Sequence, residues 1–307
     1  MNSNPAAAPS LSRKRPIISA SPLLLVMAAA LMWSTGGLFI KLSALSSFEL
    51  SFWRSLFAAI TVAIWTRREG FGINGLTALA SVLYAALLLL FVIANRHTTA
   101  ANAIFLQYTA PVYILIFEPL IYKERFRRAD LITVVVCVAG MSLFFLGDLK
   151  PGELLGNLTA LVSGVCFAFY FLLLRHERLR EVNRASSVIY GNLLLVLFTA
   201  PMGLATVDSL GGRELSIVLY LGVVQIGLAY ALFTLGMARG VRSLDAGIVA
   251  YIEPVLNPLW VILFMGERPS RWALMGGAII ITAVVAHTIW SARKASMQKQ
   301  RQVASTQ

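Results

Sequence analysis

The sequence predicts an all-α integral membrane protein whose ten transmembrane helices form two inverted five-helix repeats. Three observations support this prediction: the apolar composition, the regular spacing of apolar runs, and an internal repeat. Of the 307 residues, 58% are hydrophobic and only 13% are charged, and the mean hydropathy is +0.76. Soluble globular domains contain about 25% charged residues. The long apolar runs do not alternate with polar residues, which excludes a transmembrane β-barrel.

Ten apolar stretches have the length of a membrane span, because a hydrocarbon core about 30 Å thick needs about 20 helical residues. The predicted spans are 22–42, 48–66, 75–95, 99–122, 131–147, 154–174, 185–206, 215–238, 243–266 and 272–292. The loops between them are short, so no soluble domain is expected. The predicted organisation is a disordered N-terminal tail (1–20), a first repeat (21–148), a second repeat (152–292) and a basic C-terminal tail (293–307).

The first span follows a basic patch, RKR at residues 13–15, and its start is similar to a secretory signal peptide. The apolar run continues to Ile40 without a cleavage site of small residues, so we interpret it as a signal-anchor type of span. With the N-terminus inside, the cytoplasmic loops contain about three times as many Lys and Arg residues as the outer loops. This bias places both termini in the cytoplasm.

The second span contains two charges, Glu49 and Arg54. A cation within a span either extends its side chain to the interface or pairs with a carboxylate. We expect one of these structural roles for Arg54, with Glu49 as the available partner, in preference to binding a substrate carboxylate.

The fourth and ninth spans share a sequence pattern at an offset of 143 residues. The run ANAIFLQYTAPVYILIFEPLIYKERFRR, from residue 101, aligns with LDAGIVAYIEPVLNPLWVILFMGERPSR, from residue 244. Tyr108 aligns with Tyr251, and Pro111 aligns with Pro254. Because five helices per repeat is an odd number, the two halves cross the membrane in opposite directions. Inverted repeats of this kind are typical of secondary transporters that bind substrate near the bilayer midplane.

Several motifs in this order resemble those of a known family. They are LMWSTGGLFIK in the first span, SFWRSLFAA in the second, TAANAIFLQYTAPV in the fourth, GVCFAFYFLLLR in the sixth, and LDAGIVAYIEPV followed by GERP in the ninth. Over nearly its whole length the sequence resembles the EamA family of the drug/metabolite transporter superfamily. The resemblance implies a ten-helix secondary carrier in a cytoplasmic membrane that moves amino acids or other small metabolites, often outward. It does not fix the substrate.

Glu253 lies about ten residues into the ninth span, near the bilayer midplane. A charge at that depth costs at least about 2.5 kcal/mol on insertion scales, so an intramembrane acid indicates a functional site. Two roles remain open for this residue. Glu253 either binds the coupling proton or a substrate ammonium, or it is a structural hydrogen-bond acceptor between helices.

Pro111 and Pro254 are expected to kink the fourth and ninth spans. In an inverted-repeat carrier such bends open a cavity and serve as hinges, although they can also be a purely structural crossed pair. Tyr108 and Tyr251 precede these prolines by three residues and should face the same seam. The candidate substrate-binding residues are polar or aromatic and lie within the spans: Trp33, Tyr84, Gln107, Tyr108, Tyr170, Tyr251 and Asn257. A wider set of the same kind comprises Ser34, Asn102, Asn192, Gln225 and Tyr230.

No catalytic residues, metal site or cofactor are predicted. His97, His176 and His287 are scattered along the chain, and no P-loop is present, which argues against a chain-borne ATP pump. The formal charge of +12 follows from the basic loops, so no nucleic-acid partner is expected. The expected partners are a small-molecule substrate, the lipid bilayer and protons as the coupling ion. A passive facilitator or channel stays open as an alternative, and a membrane-embedded enzyme is a less favoured one.

Overall fold

The structure is a computed structural model that describes residues 21–98, 100–123, 128–143, 154–183, 185–265 and 271–304. Within these ranges all regular secondary structure is helical, which confirms the predicted all-α class. The predicted N-terminal tail lies outside the described residues.

The helices are numbered in chain order. The first nine are α1 (Pro22–Trp33), α2 (Gly36–Leu42), α3 (Ser47–Thr66), α4 (Gly75–His97), α5 (Ala100–Gln107), α6 (Ala110–Tyr122), α7 (Arg128–Ser142), α8 (Leu154–Leu174) and α9 (Glu177–Arg180). The others are α10 (Ser186–Leu204), α11 (Gly212–Leu219), α12 (Ala229–Ala238), α13 (Ser243–Ala250), α14 (Ile252–Met265) and α15 (Arg271–Ala304), with a π-helical segment, Tyr220–Leu228, between α11 and α12.

Six helical stretches of the described chain are long and apolar enough to cross a membrane. They are Pro22–Leu42, Ser47–Glu69, Gly75–His97, Leu154–Leu174, Ser186–Leu204 and Gly212–Ala238. These coincide with the first, second, third, sixth, seventh and eighth predicted spans. The other four predicted spans contain the pair α5 and α6, then α7, then the pair α13 and α14, and finally α15. The last of these helices runs through the predicted C-terminal tail as far as Ala304.

Large apolar side chains cover the outside of the bundle. Leu120, Leu197 and Phe264 are 70 to 73% exposed. In water such a surface would associate or aggregate, whereas in a bilayer it faces acyl chains of matching polarity. The exposed surface is therefore typical of lipid-facing helices.

A capping box fixes the start of α3. The Ser46 N–H donates to Glu49 Oε2 at 2.7 Å, and the Glu49 N–H donates to Ser46 Oγ at 3.4 Å. This reciprocal pair satisfies backbone donors that the first helical turn leaves free. The Glu49 carboxylate is thus used at the helix end, and the predicted Glu49–Arg54 ion pair is absent from the described residues.

Two spans are interrupted where a proline removes a hydrogen-bond donor. A helical carbonyl accepts from the N–H four residues later, and proline has no N–H. Pro111 thereby leaves the Gln107 carbonyl without its donor, and Pro254 does the same to the Ala250 carbonyl. Helix α5 ends at Gln107 and α13 ends at Ala250, so both interruptions begin at the same repeat position. The predicted kinks therefore lie three to four residues before the prolines, which occupy the first turn of α6 and α14.

The first span is interrupted as well, between α1 and α2, where hydroxyl groups replace the missing backbone donors. Ser34 Oγ donates to the Leu31 carbonyl at 2.7 Å, and Thr35 Oγ1 donates to the Met32 carbonyl at 2.8 Å. Inside a bilayer a free carbonyl has no water partner, so such side-chain donors make an interrupted helix tolerable.

Close helix packing in the bundle centre depends on glycines. Helix α8 packs against α4 and α5, and its Gly164 lies against the chain at the end of α5. A Cβ atom at Gly164 would lie 2.7 Å from the Gln107 carbonyl oxygen and 2.8 Å from that of Leu106. These are backbone atoms, so the two helices would have to move apart to admit a methyl group.

We predict that Gly164→Ala lowers the free energy of unfolding by about 1–3 kcal/mol, because inserting a methyl group into a packed contact forces the backbone to shift. The measurement is thermal and chemical unfolding of the purified protein in detergent. Gly75→Ala is the matched control, since a Cβ atom there meets nothing within 4 Å. Equal stability of the two variants would contradict the close approach.

Candidate functional site

The two interruptions meet at a buried carboxylate. Glu253 is 8% exposed and accepts a short hydrogen bond from the Tyr108 hydroxyl. The Tyr251 hydroxyl donates to the Tyr108 carbonyl oxygen at 3.1 Å, and the two tyrosine rings lie 5.6 Å apart. The Tyr108 carbonyl is available because α5 has already ended. The interrupted backbone therefore joins the two repeat-equivalent tyrosines and Glu253 in one hydrogen-bonded unit.

An aromatic cluster surrounds Tyr230 of α12. The centroid of the Tyr230 ring lies 4.6 Å from the ring centroid of Trp33 and 4.7 Å from that of Tyr84. Tyr84 is in turn 5.3 Å from Tyr170, and Phe233 completes the cluster 5.1 Å from Trp33. All five side chains are buried. Three of the predicted candidates, from α1, α4 and α8, are thus brought together by a tyrosine that belonged only to the wider predicted set.

Buried polar groups lie at the interruption between α1 and α2. Three of their atoms have no hydrogen-bond partner within the described part of the chain: Trp33 Nε1, Gln225 Oε1 and Asn257 Nδ2. Gln225 and Asn257 lie close to the start of α2 because Gly36 and Gly37 have no Cβ atom. A Cβ atom at Gly36 would lie 2.5 Å from Gln225 Nε2, and one at Gly37 would lie 2.6 Å from Asn257 Nδ2. A buried polar group without a partner costs about 1–3 kcal/mol. These groups would gain partners from a polar ligand.

Gln107 has a different environment from the other candidates. Its Nε2 donates to Ser163 Oγ at 2.8 Å, and Ser163 Oγ donates to the Leu87 carbonyl at 2.8 Å. This chain of bonds links α5, α8 and α4, so the Gln107 amide holds helices together. The side chains of Asn102 and Pro111 lie outside the described residues.

Arg54 neither extends to the interface nor pairs with an acid, so the sequence-based expectation for it is wrong. Its side chain is 1% exposed. Arg54 Nη2 donates to the Leu88 carbonyl at 3.2 Å, and Nε has no partner. The phenol groups of Tyr84 and Tyr230 are near enough to interact electrostatically with the guanidinium.

An ion network occupies the end of the bundle where α6 ends and α7 and α13 begin. It comprises Glu118, Asp130, Arg175, Arg242, Asp245 and His287. Arg175 Nη1 lies 3.0 Å from Glu118 Oε1, and Arg242 Nη2 lies 3.0 Å from Asp130 Oδ2. These residues are far apart in the sequence and come together only when α6, α7, α13 and α15 pack, so the sequence alone did not predict the cluster.

Arg242 lies among the carboxylates of the network. Burial lowers the pKa of its guanidinium, but the carboxylates of Asp245, Asp130 and Glu118 outweigh burial and raise the pKa above its usual value. Asp130, Asp245 and His287 offer ligand atoms within 4.8 Å of one another. Arg242 already neutralises two of these three residues, so the arrangement fits an ion-paired contact between helices better than a metal site.

A groove of about 600 Å³ lies between α7 and α15, away from the aromatic cluster. Its walls are mostly aliphatic, and the side chains with polar groups among those that line it are Thr133, Thr282, His287 and Trp290. Ile132 and Ile279 on its rim are exposed, so the groove opens toward the outside of the bundle. Its position and chemistry fit an acyl chain better than a polar substrate.

Comparison with known proteins gave the following matches. The sequence model of the EamA-like transporter family matches residues 20–146 and 154–289. The pseudopaline exporter CntI of Pseudomonas aeruginosa is 24% identical over 280 residues, covering 87% of this chain and 95% of the relative. Human solute carrier family 35 member G1 is 23% identical over 284 residues, covering 85% of this chain and 76% of the relative.

Two further matches are more distant in sequence or coverage. Protein RarD of Salmonella typhi is 28% identical over 229 residues, covering 71% of this chain and 74% of the relative. A crystal structure superposes with a TM-score of 0.73 at 22% identity, covering 88% of this chain and 97% of the other chain. At that identity the superposition shows a shared fold.

We predict that Glu118→Gln lowers the free energy of unfolding by about 3 kcal/mol, because it removes the buried carboxylate that pairs with both Arg175 and Arg242. The measurement is unfolding of the purified protein in detergent. Asp208→Asn, at an exposed carboxylate, is the control and should change stability little. If the two variants are equally stable, the network does not hold the helix ends together.

Proposed function

The chain belongs to the EamA-like transporter family, and we propose that it is a secondary active carrier that exports amino acids or related small metabolites by alternating access. Its multi-pass membrane character and its assignment to a family of transporters follow from the family match and the apolar helices. The observation that supports a coupled carrier is the junction of two repeat-equivalent interrupted helices at a buried carboxylate, Glu253.

The architecture that we propose is two inverted repeats of five helices, residues 21–148 and 152–292, with both termini in the cytoplasm. Three observations support it. The family model matches the chain twice, the proline-linked interruptions fall at equivalent positions, and Lys and Arg concentrate in the loops assigned to the cytoplasm. The membrane is then the cytoplasmic membrane of the cell.

Glu253 is the proposed coupling site. The titratable groups that face it are Tyr108, from the interruption between α5 and α6, and Tyr230, from α12. Within the described residues no cation lies within ion-pair distance of Glu253, and its carboxylate accepts a hydrogen bond from the Tyr108 hydroxyl. Binding a proton, or the ammonium group of a substrate, removes the cost of that charge in an apolar medium. Exchange of one for the other at a single carboxylate couples the two fluxes.

Alternating access requires one end of the bundle to open while the other closes. The ion network joins helix ends from both halves of the chain, and in the proposed orientation it lies at the cytoplasmic end. We propose that it keeps this end closed in the present state and separates when the halves rock about the interrupted helices.

We predict that Glu253→Gln abolishes the response of transport to a pH gradient, because an amide does not titrate. The measurement is uptake of a labelled amino-acid panel into proteoliposomes, with and without the gradient. Glu177→Gln, at an exposed residue of α9, is the matched control and should retain the response. Unchanged transport by Glu253→Gln at every pH would rule out both the proton and the ammonium roles. Saturable counterflow by the unmodified protein distinguishes a carrier from a facilitator or channel.

We predict that Pro111→Ala and Pro254→Ala each reduce the transport rate roughly tenfold without loss of stability. Alanine restores the donors that the Gln107 and Ala250 carbonyls lack, and so favours continuous helices over the interrupted ones. Pro201→Ala is the control, since that proline lies within α10, which is not interrupted. Normal transport by both of the first two variants would show that the interruptions are not hinges.

A further inference from the structure

Arg54 is a buried cation in the middle of α3. It lies eight residues into α3 and is 1% exposed, and its guanidinium makes a single hydrogen bond, to the Leu88 carbonyl. A guanidinium has five N–H donors. Within the described residues no carboxylate lies within ion-pair distance of it. Burial of an unpaired charge is costly, so a structural role for Arg54 would be satisfied more cheaply by a neutral donor.

Two serines extend this set of unpaired donors. Ser51 and Ser55 are fully buried, and each Oγ lacks a hydrogen-bond partner among the residues that the structure describes. Residues three and four apart in a helix lie on the same face, so Ser51, Arg54 and Ser55 share one face of α3. A guanidinium between two hydroxyl groups is a set of donors that matches the oxygens of a carboxylate.

The Tyr230 phenol also lies within electrostatic range of a charge of the opposite sign. The Tyr230 phenol interacts electrostatically with both the Arg54 guanidinium and the Glu253 carboxylate. The same ring contacts Trp33 and Tyr84 in the aromatic cluster. The centre of the bundle therefore contains a cation, aromatic side chains and an anion, a combination that is complementary to a zwitterion with an apolar side chain.

We propose that Ser51, Arg54 and Ser55 form a subsite for the carboxylate group of the substrate. This inference rests on the proposed function and deepens it, because it restricts the substrate to molecules that carry a carboxylate. With Arg54 holding the carboxylate, Glu253 is left to exchange the substrate ammonium for a proton. The substrate class is then an α-amino acid or a similarly small zwitterion.

The test compares three molecules that differ only in their charged groups: leucine, 3-methylbutylamine, which lacks the carboxylate, and 4-methylpentanoate, which lacks the amine. A second trio is built in the same way on phenylalanine. Transport of each labelled compound into proteoliposomes is measured for the unmodified protein and for Arg54→Gln, Arg54→Lys, Ser51→Ala and Ser55→Ala. Melting temperatures in detergent report on folding, and Ser216→Ala, at an exposed serine, is the control.

The subsite predicts that the unmodified protein prefers the amino acid to its amine and that Arg54→Gln loses this preference. Arg54→Lys keeps the charge but not the paired donors, so it should keep the preference with a KM raised about tenfold. The two serine substitutions remove small groups that a folded bundle tolerates. Each should raise the KM for the two compounds that carry a carboxylate several-fold, which is the size of effect expected from one lost hydrogen bond. The KM for the amine should not change.

The failures of the two proposals are distinguishable. If amino acid and amine are transported equally by the unmodified protein, or if Arg54→Gln and both serine variants retain the full preference, the carboxylate subsite is wrong and the carrier function stands. A uniform loss of rate and melting temperature for Arg54→Gln, with unaltered KM values in the serine variants, would identify Arg54 as structural. If the unmodified protein transports neither trio, both the amino-acid function and the subsite are wrong.

Discussion

In the apolar interior of a bilayer every backbone carbonyl needs a donor, and Pro111 and Pro254 each remove one. The chain ends one helix and begins another at these points, and the carbonyl of Tyr108 becomes free to accept from the Tyr251 hydroxyl. The Tyr108 hydroxyl is then placed on Glu253. The loss of one backbone donor at Pro111, and of another at the repeat-equivalent Pro254, thereby creates the polar centre on which the rest of the site depends.

The polar centre is stable only because the surrounding helices pack tightly. Glycines on α8 and α2 allow backbone and amide groups to approach within contact distance, and the rings of the aromatic cluster around Tyr230 are buried against one another. Electrostatic interactions are strong in such a medium. Two buried charges of opposite sign, Arg54 and Glu253, can therefore discriminate strongly among charged groups of a ligand. The ion network at the end of the bundle also contains partly buried charges, but there the carboxylates are paired with Arg175 and Arg242.

Local pattern was sufficient to predict much of this arrangement. Apolar length identified the six spans that the described helices show, and the repeat at an offset of 143 residues identified Tyr108, Tyr251, Pro111 and Pro254 as equivalent positions. Depth in a span singled out Glu253. These features are set by a residue and its near neighbours in sequence.

Other features depend on contacts between distant segments and were not predictable from one sequence. The local sequence around Arg54 is compatible both with a side chain that reaches the interface and with one that is buried. Only the packing of α3 against α4 shows that it is buried. The partners of His287 and Asp245 come from helices far apart in the chain. The π-helical segment that brings Gln225 to the first interruption has no signature in the local pattern either, since its residues are apolar like those of the α-helices around it.

The central claim is that one carboxylate, Glu253, exchanges a proton for the substrate. The most direct measurement is proton release from the purified carrier in weakly buffered detergent solution, followed with a pH indicator, when a transported amino acid is added. We expect a proton to be released from the unmodified protein and none from Glu253→Gln, with Glu177→Gln behaving as the unmodified protein does. Equal release from the unmodified protein and Glu253→Gln, at substrate concentrations that saturate both, would contradict the account.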